Sequence, residues 1–267
     1  MAALLTVENL EKRYLPRGHR TEKGIVAFSG VSFSIESGTT FALIGESGSG
    51  KSTLGFCVAC LERTTSGSIS FDGQDIATLR EKDVRRIRPL IQLVFQDPVS
   101  SLNPRWTVQE ILAEPLILQR RLTEDAIRER TIALLERMNL SRGLAERRPS
   151  ELSGGQRQRV AVARALSLEP KLLILDEVFS ALDCSVQAEI ANLLLEFQRS
   201  LGLTYIFITH DFAMAAHLAD HFAVMHRGQI VEQGPASEIL RQARHEATQR
   251  LLAATPRFSS AGVQRPF

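Results

Sequence analysis

The chain has 267 residues, 44% of them hydrophobic and 23% charged, a balance that suits a folded globular protein and excludes an extended disordered one. That length is enough to bury a sizeable core without disulfides or metals, either as one large domain or as a core with an inserted subdomain. The net charge of +2 gives no support for a nucleic-acid partner, which favours a strongly basic face.

Residues 1–8 lack a basic region followed by a long apolar run, so no secretory signal is expected. No apolar run reaches the ~18–20 residues that cross a bilayer, so a membrane role would come through a partner. The first strand-like run is Phe41, Ala42, Leu43 and Ile44, and others follow at 91–95, 172–175 and 205–208. Most of their apolar positions are consecutive, the pattern of strands buried on both faces in a parallel sheet covered by helices.

Gly45-Glu46-Ser47-Gly48-Ser49-Gly50-Lys51-Ser52 follows the first run and precedes a helical stretch beginning Thr53, Leu54, and Gly45 to Thr53 are the candidate ATP contacts. This is a P-loop pattern in the strand–loop–helix setting it requires. Its glycines let the backbone approach phosphate oxygens and aim N–H groups inward, and the helix adds its positive end. Lys51 would neutralise β- and γ-phosphates and the Ser52 hydroxyl would ligate Mg2+. A bare Gly-Ser turn is the competing reading, and a match across the whole eight-residue pattern with the right flanks weighs against it. The pattern alone means nucleotide phosphate, which kinases and GTPases share.

Cys57 and Cys60 have redox or zinc spacing, but the pair occurs once, on the predicted helix after the P-loop, where the two share a face. Buried, unpaired cysteines are expected. With Cys184 they make three, an odd, small number that suits a reducing compartment. Ser68, Ile69, Ser70 and Phe71 alternate and end at Asp72-Gly73, a hairpin-turn signal that places an antiparallel flank beside the parallel sheet. From about 97 to 151 the strand runs stop and helix formers dominate, so a helical insertion is expected. Thr123 would cap a helix with Glu124 and Asp125 in its first turn, and Ile127, Leu134, Leu135 and Met138 fall on one face. Arg120 and Arg121 read as a solvated helix face.

The run at 172–175 ends in Asp176 and Glu177. Asp176 sits at the C-terminal end of a strand, where α/β sheets bind ligands, and would hold Mg2+ through a water. Glu177 is placed to polarise an attacking water, a role that contributes ~10²–10⁴-fold to rate. Solvated carboxylates at a strand end are the competing reading, and the upstream P-loop weighs against it. His217 and His221 lie four apart on a predicted helix, but no third metal ligand is evident, so solvated histidines are expected. The last ~10 residues, rich in Ser, Gly, Arg and Pro, read as a mobile tail.

Leu152-Ser153-Gly154-Gly155-Gln156, followed by Arg157-Gln158-Arg159-Val160, resembles the signature of the ABC ATPases. With the motifs above, the resemblance spans roughly residues 4–256. It implies an α/β fold: a P-loop NTPase (RecA-like) core with an antiparallel β flank and an inserted α-helical subdomain. The core would take 1–96 and about 161–235, the helical subdomain about 97–160 including the signature, and a C-terminal helix and tail 236–267. Ser153 and the two glycines open a helix, so free N–H groups and the dipole point outward. In the family this element binds the γ-phosphate held by the other subunit's P-loop, which places each ATP between two chains. Gln96 resembles the Q-loop glutamine that senses Mg2+ and the attacking water. Ser180-Ala181-Leu182-Asp183 resembles the D-loop, which crosses the dimer interface, and His210 resembles the switch histidine on the γ-phosphate. Tyr14 resembles the aromatic residue that stacks on adenine, with a packed surface tyrosine as the alternative. Val178-Phe179 departs from the Pro-Thr or Pro-Ser of many relatives and bears on D-loop stiffness.

The stretch 95–116, including Phe95-Gln96-Asp97-Pro98 and Ser101-Leu102-Asn103-Pro104, is similar to the ATPases of bacterial peptide and nickel importers, and residues 245–256 resemble a variant of that branch's ending. The absence of cysteine after Cys184 resembles the shorter subunit of such pairs. The resemblance therefore implies an ATP- and Mg2+-dependent ATPase, peripheral on the cytoplasmic face of the bacterial inner membrane. Its partners would be a second ATPase subunit, in a hetero- or homodimer, two integral membrane permeases and, indirectly, a solute-binding protein. Trp106 lies near the implied permease contact, though packing within the insertion serves it equally. The alternatives are an exporter ATPase with the same chemistry and a soluble ABC ATPase acting on ribosomes or DNA. The transported solute, whether peptide, nickel or metal chelate, stays open.

Overall fold

The consecutive apolar runs form a sheet with both faces covered. The structure is a computed structural model that describes residues 3–15, 24–97, 101–119, 122–180 and 182–254. Its larger sheet has six strands: β3 (Thr40–Ile44), β6 (Ile91–Val94), β7 (Leu172–Asp176), β8 (Thr204–Thr209), β9 (His221–His226) and β10 (Gln229–Pro235), in the order β10-β9-β3-β8-β7-β6. All neighbours pair in parallel except β9 and β10. Ala42, Ile44, Leu173, Leu175, Tyr205 and Phe207 point into one apolar core, while Phe41, Leu43, Leu172, Ile174, Ile206 and Ile208 point into another. The period-two alternation of strands is intact, but it is hidden in the sequence because both faces are buried.

The second core is closed by a four-stranded antiparallel sheet, β2-β1-β4-β5. It comprises β1 (Ala3–Tyr14), β2 (Ile25–Glu36), β4 (Ser66–Phe71) and β5 (Gln74–Asp75). Asp72 and Gly73, at φ 50° and 78°, make the predicted hairpin between β4 and β5, in the left-handed backbone that a tight two-residue turn needs. Helix α1 (Lys51–Val58) lies against the parallel sheet so closely that a Cβ on Gly55 would stand 2.8 Å from Ile208 Cδ1.

Helix α2 (Glu81–Ile87) precedes β6, and after β6 the chain turns helical. Helix α3 spans Val108–Gln119 and α4 spans Glu124–Arg137. Thr123 caps α4, its hydroxyl accepting from the Ala126 N–H at 3.4 Å, and Ile127, Leu134, Leu135 and Met138 are all buried. Short 3-10 turns at Arg142–Leu144 and Pro149–Glu151 lead into α5 (Gly154–Leu166). The remaining helices are α6 (Cys184–Leu201), α7 (Phe212–Leu218), α8 (Ala236–Arg241) and α9 (Glu246–Ala254). Leu112, Leu135, Val160, Leu175 and Phe207 belong to one core, so the insertion packs continuously with the sheet.

Two expectations are corrected. Helix α1 ends at Val58, and Cys60 lies beyond it at φ 55°, so Cys57 and Cys60 do not share a helix face; Cys57 is buried, Cys60 half-buried, and neither is paired. Helix α7 ends at Leu218, where Ala219 turns extended, so His217 ends a helix while His221 begins a strand. Among the described residues no group of three His, Cys, Asp or Glu could hold a metal ion, and no helix is long and apolar enough to cross a membrane. Pro98, Arg120, Arg121, Ala181 and the C-terminal tail from 255 lie outside the described residues.

Candidate functional site

Strand order gathers the motifs at one edge. The parallel register sets Ile44 beside Thr209, Asp176 beside Ile208, and Val94 beside Leu175. The residues just past these strand ends, on β3, β6, β7 and β8, therefore share the C-terminal edge of the sheet, the ligand-binding edge of open α/β folds.

The loop from Gly45 to Gly50 is held from outside by backbone. A Cβ on Gly45 would stand 2.2 Å from the Met225 carbonyl oxygen, and one on Gly50 would stand 2.4 Å from that of Ala27. Gly50 also sits at φ 100° as the N-cap of α1, a conformation strained for any residue with a side chain. Ser49 is buried, its carbonyl accepting from the Gly228 N–H at 3.1 Å, while Glu46, Ser47 and Gly48 are exposed. Thr53 is half-buried on α1.

Lys51 is 4% exposed. Its Nζ donates to the Gly45 and Glu46 carbonyls at 2.8 Å each and to Ser49 Oγ at 3.4 Å. Burial pushes its pKa below the ordinary lysine range, against the opposing pull of Glu177, Asp176 and Glu46. Ser52 Oγ donates to Asp176 Oδ1 at 3.0 Å. Burial pushes the Asp176 carboxyl above the usual carboxylate range; the Ser52 hydrogen bond lowers it, Glu177 raises it and Lys51 lowers it. The Ser52 and Asp176 oxygens suit a hard cation that takes one or two protein oxygens and completes its shell with water and phosphate.

Glu177 follows Asp176 at φ 48°, with its N–H donated to the Ile208 carbonyl at 2.9 Å. That turn brings its carboxylate between two neighbours. Gln96 Nε2 donates to Oε2 at 3.1 Å, and His210 Nδ1 stands 3.5 Å from Oε1. The His210 side chain is 54% exposed. Its successor Asp211 caps α7, accepting from the Ala213 and Met214 N–H groups at 2.8 and 3.2 Å, which fixes the backbone that carries the imidazole. Tyr14 ends β1 opposite Ile25, 40% exposed. Two residues on, Ala27 is the carbonyl that closes on Gly50.

Val178 and Phe179 are buried, and the Phe179 ring meets Phe207 edge-on at 5.5 Å. Ser180 Oγ donates to the Glu177 carbonyl at 3.0 Å. Gln187 Nε2 donates to the carbonyls of Phe179 and Leu182 at 2.9 and 3.1 Å, so it braces the turn ahead of Asp183, the N-cap of α6. Sequence reading missed Gln187, Ala27 and Met225, because such contacts leave no local pattern.

The signature segment differs. Ser153 caps α5 in a capping box: its Oγ accepts from the Gln156 N–H at 3.2 Å, and Gln156 Oε1 accepts from the Ser153 N–H at 2.9 Å. Leu152 is buried, whereas Ser153 and Gly154 are exposed and Gly155 and Gln156 half-buried. A Cβ on Gly155 would stand 2.5 Å from Val186 Cγ1, and one on Gly154 would stand 3.9 Å from Leu182 Cδ2. The signature and the D-loop are thus neighbours within the chain. Among the described residues, Ser153 and Gln156 hydrogen-bond to each other, Leu152 to Pro149 and Arg157, and Ser153 also to Arg157, none of them to the phosphate loop.

Comparison with known proteins agrees. The family described as "ABC transporter" matches residues 28–180, more than half of the chain. The chain is 43% identical over 258 residues to the dipeptide transport ATP-binding protein DppF of Escherichia coli (strain K12), covering 96% of this chain and 77% of that protein. It is 45% identical over 253 residues to the oligopeptide transport ATP-binding protein OppD of Mycobacterium bovis, covering 91% of this chain but 41% of that longer relative. The dimeric post-hydrolysis structure of the ATP-binding cassette MJ0796 bound to ADP and Pi superposes with a TM-score of 0.78 at 29% identity, over 87% of this chain and 98% of that one. The chain belongs to the ABC transporter family, as one of its ATP-hydrolysing subunits.

Proposed function

We propose that the chain energises a bacterial importer of peptides, working peripherally on the cytoplasmic face of the inner membrane. The observation that carries its ATP hydrolysis is the meeting of Lys51, Ser52, Asp176, Glu177, Gln96 and His210 at one sheet edge, and what supports import is the likeness to peptide-transport ATPases. Exposed residues 46–48 would turn N–H groups to the β- and γ-phosphates, and Lys51, already at the floor of the loop, would supply the positive charge. Ser52, Asp176 and Gln96 would hold Mg2+, which when bound neutralises charge across the β- and γ-oxygens. Glu177 takes the proton of the attacking water as general base, with Gln96 and His210 holding its carboxylate in place. Tyr14 stacks on adenine.

The outward-facing start of α5 would meet the γ-phosphate of a second ATPase subunit, so two chains enclose two ATP molecules. Swinging such a pair from 1:99 to 99:1 closed takes ~5.5 kcal/mol of differential binding, supplied by phosphate contacts that only the closed pair makes. The helical subdomain, about 97–160, passes that motion to two permeases, with a solute-binding protein upstream. The names of the relatives favour peptides over the nickel or metal chelates that the resemblance also admits. Glu177→Gln should lower ATPase turnover at least ~10²-fold while ATP binding survives; near-normal turnover would remove Glu177 as the base. Co-purification with two integral membrane proteins supports a membrane transporter over a soluble ABC ATPase, whereas co-purification with ribosomes or DNA contradicts it.

A further inference from the structure

Lys12 lies outside every motif above. It stands two residues before Tyr14 on β1 and is 8% exposed. Its ammonium sits 4.6 Å from the centroid of the Tyr14 ring. The same Nζ donates to Glu62 Oε2 at 2.8 Å and to the Arg63 carbonyl at 2.7 Å. Glu62 and Arg63 come just after α1, the helix that begins with Lys51 and Ser52. Lys12 therefore ties the strand that ends in Tyr14 to the turn that follows the helix carrying the phosphate-loop residues.

We propose that Lys12 is a positioning residue for the nucleobase: it fixes the Tyr14 ring from one face and leaves the other to adenine. The proposal rests on the reading of Tyr14 as the adenine platform. A cation held against one face of an aromatic ring is drawn to its π cloud. The opposite face becomes less negative and repels a purine less. A ring already held also spares the nucleotide the cost of ordering it. Glu62 and the Arg63 carbonyl keep the ammonium in place, so a neutral side chain of similar length cannot substitute.

The test titrates the full chain with ATP and, separately, with inorganic tripolyphosphate, which has no base. Lys12→Met should weaken ATP about three- to tenfold and leave tripolyphosphate unchanged, and Lys12→Arg should restore most of the ATP affinity. Glu62→Gln should act in the same direction with a smaller effect, and it carries the test if Lys12→Met does not fold. On a Tyr14→Ala background Lys12→Met should cause no further loss. A loss shared equally by tripolyphosphate, or one that persists without Tyr14, overturns the proposal and leaves Lys12 a merely structural residue. ATP affinity unchanged in Tyr14→Ala removes the adenine-platform reading itself. ATP affinity lowered in Tyr14→Ala but unchanged in Lys12→Met removes only the role of Lys12.

Discussion

The phosphate loop and the signature segment are both glycine-containing helix starts, yet the chain treats them in opposite ways. The loop before α1 is wrapped by its own molecule: the Ala27 and Met225 carbonyls press on Gly50 and Gly45, and Lys51 and Asp176 are buried. The start of α5 satisfies itself through the Ser153–Gln156 box and presents Ser153 and Gly154 to solvent. One helix start is built inward and bears the electrostatic cost of buried charge. The other is self-sufficient in isolation and suited to meeting another molecule.

Breaking the inward half should have the largest effect. Lys51→Met removes the one cation in the loop and should lower ATPase turnover ~10²–10³-fold, read as steady-state phosphate release; a loss under threefold would mean that the ammonium does not act on the phosphates. Breaking the outward half should lower turnover less, and only in the assembled pair. Ser153→Ala should cost the fold ~1 kcal/mol through the lost cap and lower turnover about tenfold, as fits one hydrogen bond to a charged group. ATP affinity of the isolated chain should not change; if it falls in parallel, the signature acts within its own chain.

The smallest effect sharpens the contrast in stability. Burial holds the Asp176 carboxyl above its usual range. Its contribution to the ligand-free fold is therefore present at low pH and lost as pH rises through that raised value. Asp176→Asn, neutral throughout, should raise the melting temperature at about pH 8, with the gain shrinking toward about pH 4. A melting temperature lowered equally at both would show that the ionised carboxylate stabilises the fold.

Much of this was legible in the sequence. The consecutive apolar runs identified doubly covered strands, and Asp72-Gly73 marked a hairpin, because each needs only local residues. The phosphate loop and the Asp176–Glu177 pair were readable for the same reason. Less local facts were not. That β8 lies between β3 and β7, and so sets His210 against Glu177, is a matter of strand order, which no local pattern encodes. The early ends of α1 and α7 depend on single residues, Cys60 in a left-handed conformation and Ala219 in an extended one; helical spacing alone therefore joined Cys57 to Cys60 and His217 to His221 wrongly. The Lys12–Tyr14 contact needs Glu62, 50 residues along the chain.

The most direct measurement is ATPase activity per chain against chain concentration, with molecular mass determined in the same samples. Turnover should be near zero while the chain is alone and should rise only with a two-chain species, formed with itself or with an added second ATPase subunit. Constant turnover per chain in samples that remain monomeric would contradict a site shared between two chains.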